Sequence, residues 1–589
     1  MSTTGDLVSR EYSNFRGVDF RGEEVNIARS PDSLNMWINY KEIGGVRTRP
    51  GLVHLRGGSF QHPINGIFYY NRKNDDGTYE SIVVIHEGSK LLRTTLGFTD
   101  YVFLNSGGDI MNNRKSQAFV FDDKLYIIDG VHFYVYKGGY TVSEVDGYIP
   151  TTTIGRKPSG GGTKYEDVNL LTSYRYNTFI GDGVSKVYKL DAENIVPSDI
   201  SVWVDDVDMS GHYSFNYTEG SILFHEGYYP TAAVSDNVKV KFKTMLDAVN
   251  EKQFASQIKN CTLCQVFDNR VFFSGNDNFP NKVWHCSLYD PTYWSDTDYY
   301  EEGLDSAKVN GLVAGADALM VFREPSMSNT SIFYHRPVID AEYGKIYPSQ
   351  HASVSTGCVG GAINFNDDIV FFSDRGMEAV RVDKIESEQV LEHRSSLVDK
   401  KMLDEDNYKN MILVEWEGYL MVFIGSKVYL ADSRAVFNNV NHIEYEWFYW
   451  DLKIGVKVAT VIKGKLYLGM SNGEIYCMDA TSPTTNVECY WTTPKDKFNA
   501  PNKLKTTNKN GCIVEAIGDV EVLVKTNNDS DGFESVGTHA DVKDFISSRI
   551  KKKKFKDIQL KFKSNTWFAL ESATLECFVG GYLKRGGGE

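Results

Sequence analysis

The stretch Asn269–Tyr300, NRVFFSGNDNFPNKVWHCSLYDPTYWSDTDYY, decides how the chain is read. It opens on a short apolar strand, Val271-Phe272-Phe273, and turns at Ser274-Gly275-Asn276. Phe279-Pro280-Asn281 leads to a second strand around Val283-Trp284, and Asp290-Pro291-Thr292-Tyr293-Trp294 follows. Short aromatic and β-branched runs bounded by Gly, Asn, Asp and Pro predict strands joined by tight turns. No pair of acids, His or Cys stands at catalytic spacing, so the stretch points to architecture rather than chemistry.

Its front half recurs. A turn residue, a strand of large apolar residues and a second tight turn return at Ile82–Ile85, Leu125–Ile128, Val271–Phe273, Leu319–Phe322, Ile369–Phe372, Leu420–Phe423 and Leu466–Leu468. Most successive copies lie about 43–51 residues apart, the period of a four-stranded propeller blade. One blade cannot bury both faces, so blades stack around an axis, and closing the ring leaves only short protected edges. The expected fold is all-β: a six- or seven-bladed β-propeller with an inserted β-sandwich, platform-like domain and a C-terminal β unit.

One gap breaks the spacing. Leu125 and Val271 are 146 positions apart. The excess begins at the flexible link Pro158–Thr163 and carries short alternating strands such as Val202-Trp203-Val204 and Val238–Phe242. The expected division is an N-terminal arm over 1–60, a first propeller part over 61–162, the inserted sandwich over 163–248, a second propeller part over 249–481, and a C-terminal β domain with ring-closing strands over 482–589. The arm reads as a surface wrap, or as a segment that locks onto a neighbour or closes a ring of strands. Residues 385–410 read as the main helical excursion, and the chain ends in Lys584-Arg585-Gly586-Gly587-Gly588.

The chain of 589 residues is too long for a single core. Its net charge of −15 makes tight non-specific nucleic-acid binding unexpected, because an acidic surface repels phosphate. Eight scattered Cys suggest buried free thiols rather than a disulfide framework. The first residues, MSTTGDLVSREYSNF, carry no apolar core of a leader. No run of about 18 apolar residues predicts a membrane-spanning helix.

Candidate chemistry is sparse. Cys261-Thr262-Leu263-Cys264 is a single CxxC, whereas a structural zinc needs four ligands. Ser373-Asp374-Arg375-Gly376 resembles a sialidase turn but lacks its spacing and its aromatic. Gly160-Gly161-Gly162 lacks the Lys-Ser/Thr of a phosphate loop. The one dense basic run is RIKKKKFK: Arg549, Lys551, Lys552, Lys553, Lys554 and Lys556. It reads either as a contact for phosphate backbone or an acidic partner, or as a solvated strand edge guarded by Lys. No catalytic, metal or cofactor residues are expected.

The segments NFRGVDF, RSPDSLNMW and TRPGL near the start, the Gly275–Tyr300 stretch, and the late WTTPKDKFNAPNKLK resemble the packaged-DNA stabilisation, or tail nozzle, proteins of short-tailed bacteriophages. That resemblance implies a virion protein of the tail, made in the host bacterial cytoplasm, with no enzymatic activity and no cofactor. It implies a six-bladed propeller with platform-like β domains, assembled as a homo-oligomeric ring of six below portal and adaptor proteins. Tail fibre or spike proteins are the further implied partners. The resemblance further implies that genomic DNA is retained by the ring and then passes through it without sequence-specific binding. The alternative expectations are a host-glycan-binding or glycan-cleaving propeller, whose aromatic loop Tyr289–Tyr300 stacks on sugar rings, and a scaffolding propeller inside a cell.

Overall fold

The computed structural model describes residues 5–42, 44–56, 60–328, 330–341, 344–352, 355–381, 391–439, 442–482 and 484–582. The fold is nearly all-β, and its chain divides into two compact units. One comprises Met1–Tyr69, Gly97–Asp100 and Thr356–Glu589, the other Tyr70–Leu96 and Tyr101–Ser355.

Seven four-stranded sheets occur among the described residues. In each, the repeat copy is the second strand: Tyr79–Glu87, Lys124–Ile128, Arg270–Ser274, Leu319–Arg323, Asp368–Ser373, Tyr419–Ile424 and Lys465–Met470. A second strand is paired along both edges and covered on both faces. Leu319–Arg323 and Tyr419–Ile424 are accordingly buried at every residue, so these strands read as continuous apolar runs rather than alternations. The turn before the second strand is equally regular. Asp122-Asp123, Asp268-Asn269, Asn366-Asp367, Glu417-Gly418 and Lys463-Gly464 all have φ between 45° and 80° at both positions. Two consecutive left-handed residues make the hairpin turn whose twist matches that of the strands it joins. Asn, Asp and Gly tolerate that conformation best, and they supply most of these positions.

The seventh sheet takes its fourth strand from far away. Val53–Arg56 pairs with Ile475–Met478, with Tyr476 opposite His54. The final strand, Phe568–Tyr582, joins none of the seven sheets. It lies in a ten-stranded sheet beside Lys503–Thr526, a strand of 24 residues. In that long strand Cys512, Val514, Ala516, Val520, Val522 and Val524 point into the core, while Ile513, Glu515, Ile517 and Asp519 face outward. The strict period of two is that of a sheet covered on one face.

The N-terminal segment is not a surface wrap. Asp6–Tyr12 pairs with Ala573–Val579, and Ser33-Leu34 pairs with Tyr490-Trp491. Met36 and Trp37 sit in the core of the first unit, with Trp37 stacked on Trp416 at 5.7 Å and Trp450 edge-on at 5.8 Å. Gly17 has φ 151°, and a Cβ there would lie 2.3 Å from the Trp447 carbonyl oxygen, so the chain passes where only glycine fits. Asn35 is buried yet fully used. Its Oδ1 accepts from Arg49 Nε at 3.1 Å and from the Asp451 amide at 2.9 Å, and its Nδ2 donates to the Glu488 carbonyl at 2.8 Å.

In the second unit, residues between Thr151 and Phe242 form a six-stranded and a three-stranded sheet, and Phe179, Tyr188, Val202, Ile222, Phe224 and Val240 share one core. The 15-residue helix of the chain is Met245–Lys259, at the end of this region. Thr244 caps it by accepting from the Asp247 amide at 3.1 Å. The helix expected over 385–410 is corrected. Residues 382–390 lie outside the described residues, Leu391–His393 is a strand, and the helical parts are two short turns, Asp399–Met402 and the 3-10 turn Tyr408–Asn410. The Glu- and Lys-rich composition signalled helix, but pairing with Gly376–Val380 takes Leu391–His393 into a sheet. The terminal Lys584–Gly588 run also lies outside the described residues.

Candidate functional site

The basic run lies between the strands Phe545–Ser548 and Ile558–Ser564. It is a strap laid along the start of the long strand rather than a strand edge. The Lys505 amide donates to the Phe555 carbonyl at 2.9 Å, and the Phe555 amide returns the bond at 3.1 Å. The Thr507 amide donates to the Lys552 carbonyl at 2.9 Å, and the Thr507 hydroxyl donates to the Ile550 carbonyl at 2.8 Å. Ile550 and Phe555 are fully buried and anchor the strap in the core. The strap thereby covers the edge that Lys503–Thr507 would otherwise expose.

Those anchors sort the cations. Lys552 is occupied internally, its ammonium 2.8 Å from Asp529 and 2.7 Å from Glu534. Partial burial opposes its charge, but the two carboxylates outweigh this and raise its pKa. Lys505, fully buried, donates to the Ala500 and Lys556 carbonyls, and burial lowers its pKa. Arg549, Lys551, Lys553, Lys554 and Lys556 remain exposed and have no ion-pair partner among the described residues. Of the six cations singled out in the sequence, five are therefore presented together on a fixed backbone, and Lys552 holds the strap down.

The other candidate groups are structural. Cys261 follows the helix and is buried, its thiol donating to the Gln257 carbonyl at 3.3 Å. Burial raises the pKa of Cys261, and that of Cys264 to about 12. Among the described residues no group of three or more His, Cys, Asp or Glu is placed to hold a metal ion. The Ser373 hydroxyl accepts from the Arg375 amide and donates to the Gly376 carbonyl, closing a tight turn. In the aromatic loop, Trp294 is buried against Phe273 at 4.4 Å, and Tyr289 is exposed.

Two polar clusters, one buried and one half-buried, were not singled out in the sequence. His335 and Glu302 are fully buried and bonded at 2.7 Å, and the Ser349 hydroxyl donates to Glu302 at 2.6 Å. His393 bridges Glu378 at 3.0 Å and Asp399 at 2.6 Å. Burial works against its charge, but the two acids prevail and lift its pKa to about 10. One acid holds the histidine in the first cluster, and two acids hold it in the second.

No protein-family model matches the chain, and no curated protein matches it. Among solved structures it is similar to BamB from Moraxella catarrhalis, at 11% identity over 76% of this chain and 94% of that one, with a TM-score of 0.31. It is also similar to the Pan2 WD40 domain of Neurospora crassa, at 8% identity over 74% and 95%, TM-score 0.25. The computationally designed Ika8 protein gives 11% identity over 73% and 99%, TM-score 0.31. At these scores the likenesses carry no functional argument.

Proposed function

We propose that the chain is a structural virion protein, the nozzle or hub subunit of a short phage tail, forming a ring of six that encloses the DNA channel below portal and adaptor. In this reading the seven four-stranded sheets are the blades of one propeller, completed by Val53–Arg56. Residues from Thr151 to Phe242 are then a sandwich inserted between blades, and the ten-stranded sheet is the platform.

The observation that carries the reading is where the phage-like phrases meet. The early NFRGVDF and RSPDSLNMW and the late WTTPKDKFNAPNKLK lie more than 450 positions apart, yet they interlock in the first unit. Phe15 packs edge-on against Trp491 at 5.2 Å, Ser33 pairs with Trp491, and Arg10 bonds Asp496 at 2.7 Å. Lys495 and Lys497 pair with Glu23 and Glu24. The early and late phrases thus belong to one compact unit, while the Gly275–Tyr300 phrase belongs to the other. Charge supports the same reading, because an acidic chain lets a duplex pass without a ladder of ion pairs holding it. The strap is then the place where this chain touches phosphate backbone, weakly and in a salt-dependent way.

Electron microscopy of the purified protein, alone and with portal and adaptor, tests the proposal. Six-fold rings with an opening wide enough for duplex DNA are expected. Persistent monomers with both partners present, or tight duplex binding at physiological salt, would overturn it.

A further inference from the structure

The strand Val238–Phe242 is central in the six-stranded sheet of the second unit. It pairs along one edge with Arg175–Phe179 and along the other with Ser201–Val204. Val238, Val240 and Phe242 enter the core. Lys239 and Lys241 therefore face the other way, and Lys243 continues the row past the end of the strand. Lysine on a strand commonly guards a free edge against stray pairing. This strand has no free edge, and lysine is depleted in strands generally. Edge protection does not explain the row.

The register names what surrounds these lysines. Lys239 stands between Thr178 and Trp203, and Lys241 between Tyr176 and Ser201. The Lys239 ammonium lies 4.0 Å from the centre of the Tyr176 ring, and those of Lys241 and Lys243 lie 4.2 Å and 4.8 Å from that of Tyr174. Trp203 meets Tyr176 edge-on at 6.3 Å. Three rings and three cations are thus interleaved on one open sheet face. Carboxylates stand at its margin. Asp199 holds Lys243 at 3.1 Å and accepts from the Tyr174 hydroxyl at 2.9 Å. Asp236 accepts from the Thr178 hydroxyl at 2.6 Å, and Asp208, opposite Trp203, accepts from the Ser210 hydroxyl at 2.7 Å. Asp205 and Asp206 are exposed in the turn beyond Trp203. Lys239 and Lys241 have no ion-pair partner among the described residues. Two like charges about 7 Å apart on one central strand repel, and an anion above the face relieves them. The acidic margin confines that relief to the centre, so the fitting ligand makes two anionic contacts there rather than a long run of them.

We infer that this face binds a short stretch of single-stranded nucleic acid, with two phosphates on Lys239 and Lys241 and a base stacked on Trp203. Aromatic side chains on an open sheet offer the π-surface that unpaired bases stack on, whereas a duplex keeps its bases stacked on one another. The inference stands apart from the nozzle reading and from the strap. The test is fluorescence anisotropy of the full chain with labelled oligo(dT) and with a duplex of equal length. Saturable binding of oligo(dT), tighter than that of the duplex, is expected. Lys239→Gln/Lys241→Gln should flatten the log–log salt slope for oligo(dT) by about 1.4. Trp203→Ala should weaken oligo(dT) binding about tenfold. Neither should change duplex binding, and Lys551→Glu/Lys553→Glu should keep the preference for the single strand. The glutamine variant alters no core residue, so it decides the matter even if Trp203→Ala fails to fold. Equal affinity for oligo(dT) and duplex, an unchanged oligo(dT) slope in Lys239→Gln/Lys241→Gln, or tighter binding of the acidic polysaccharide polygalacturonate than of oligo(dT) would each overturn the inference. None of these results would touch the proposed ring.

Discussion

Arg29 offers the sharpest test of how the N-terminal segment is held. Its guanidinium makes a forked pair with Glu446, Nε to Oε2 at 2.8 Å and Nη2 to Oε1 at 2.7 Å. The two side chains are 4% and 1% exposed. Removing one partner of such a pair leaves an uncompensated buried charge, worth about 3–5 kcal/mol. Arg16 stands 3.9 Å from Glu446 but is half exposed, so it can move in and offset part of that. Arg29→Met should therefore cost about 3 kcal/mol, the low end of the range. Glu446→Leu should cost as much or more, because no carboxylate replaces it. The double variant should lose less than the two single losses combined, since two apolar chains of similar volume fill the same space. Urea unfolding followed by tryptophan fluorescence reads the right unit, which holds Trp37, Trp416, Trp447, Trp450, Trp491 and Trp567. A loss under about 1 kcal/mol for Arg29→Met, or simple additivity in the double variant, would refute the claim that this pair pins the segment.

Other outcomes follow from the same geometry. Weak duplex binding by the strap should show a log–log salt slope no steeper than about −4.5 for five cations, and Lys551→Glu/Lys553→Glu should flatten it by about 2 in fluorescence anisotropy. Gly17→Ala must place a methyl group against the Trp447 carbonyl and should destabilise the first unit by about 3 kcal/mol in the same urea assay. His393, with its folded pKa near 10 against an ordinary value of 6.5, contributes stability that is fully present below about pH 6.5 and is lost as pH rises toward 10. Wild type should therefore lose melting temperature relative to His393→Gln across that window, and parallel profiles would count against a charged His393.

The repeat was legible because its signal is local. A strand buried on both faces reads as an apolar run, and a hairpin turn with two left-handed residues demands Asn, Asp or Gly just before it. All seven second strands carry the first mark, and five of them carry the second. What stayed hidden is non-local. Val53–Arg56 looks like any short polar-apolar segment, and nothing in it names Ile475–Met478 as its partner. Ser33-Leu34 is two residues long, too short to show a period, and its place is set by Trp491 in another part of the chain. The helix Met245–Lys259 has apolar residues on several sides and buries only Ala255 and Ile258, so no amphipathic stripe announced it. A cavity beside Ser173 brings together the segment Val168–Arg175, the helix Met245–Lys259 and the distant Asp296, and composition is blind to that.

The strap shows why a charge run needs its backbone before it can be interpreted. Six like charges in eight residues repel one another, and an unanchored run would splay into solvent. Here Ile550 and Phe555 fix the path from below, Lys552 is neutralised by Asp529 and Glu534, and Thr507 ties down the carbonyls between them. The remaining five cations keep their repulsion without relief from this chain. Edge protection alone requires only the covering backbone, which neutral residues would supply equally well. Holding five free cations together on a fixed support, in a chain whose other charges sum to a still more acidic total, favours an acidic counterpart outside the chain. If Lys551→Glu/Lys553→Glu raised stability and left every polyanion contact unchanged, the strap would be edge cover and nothing more.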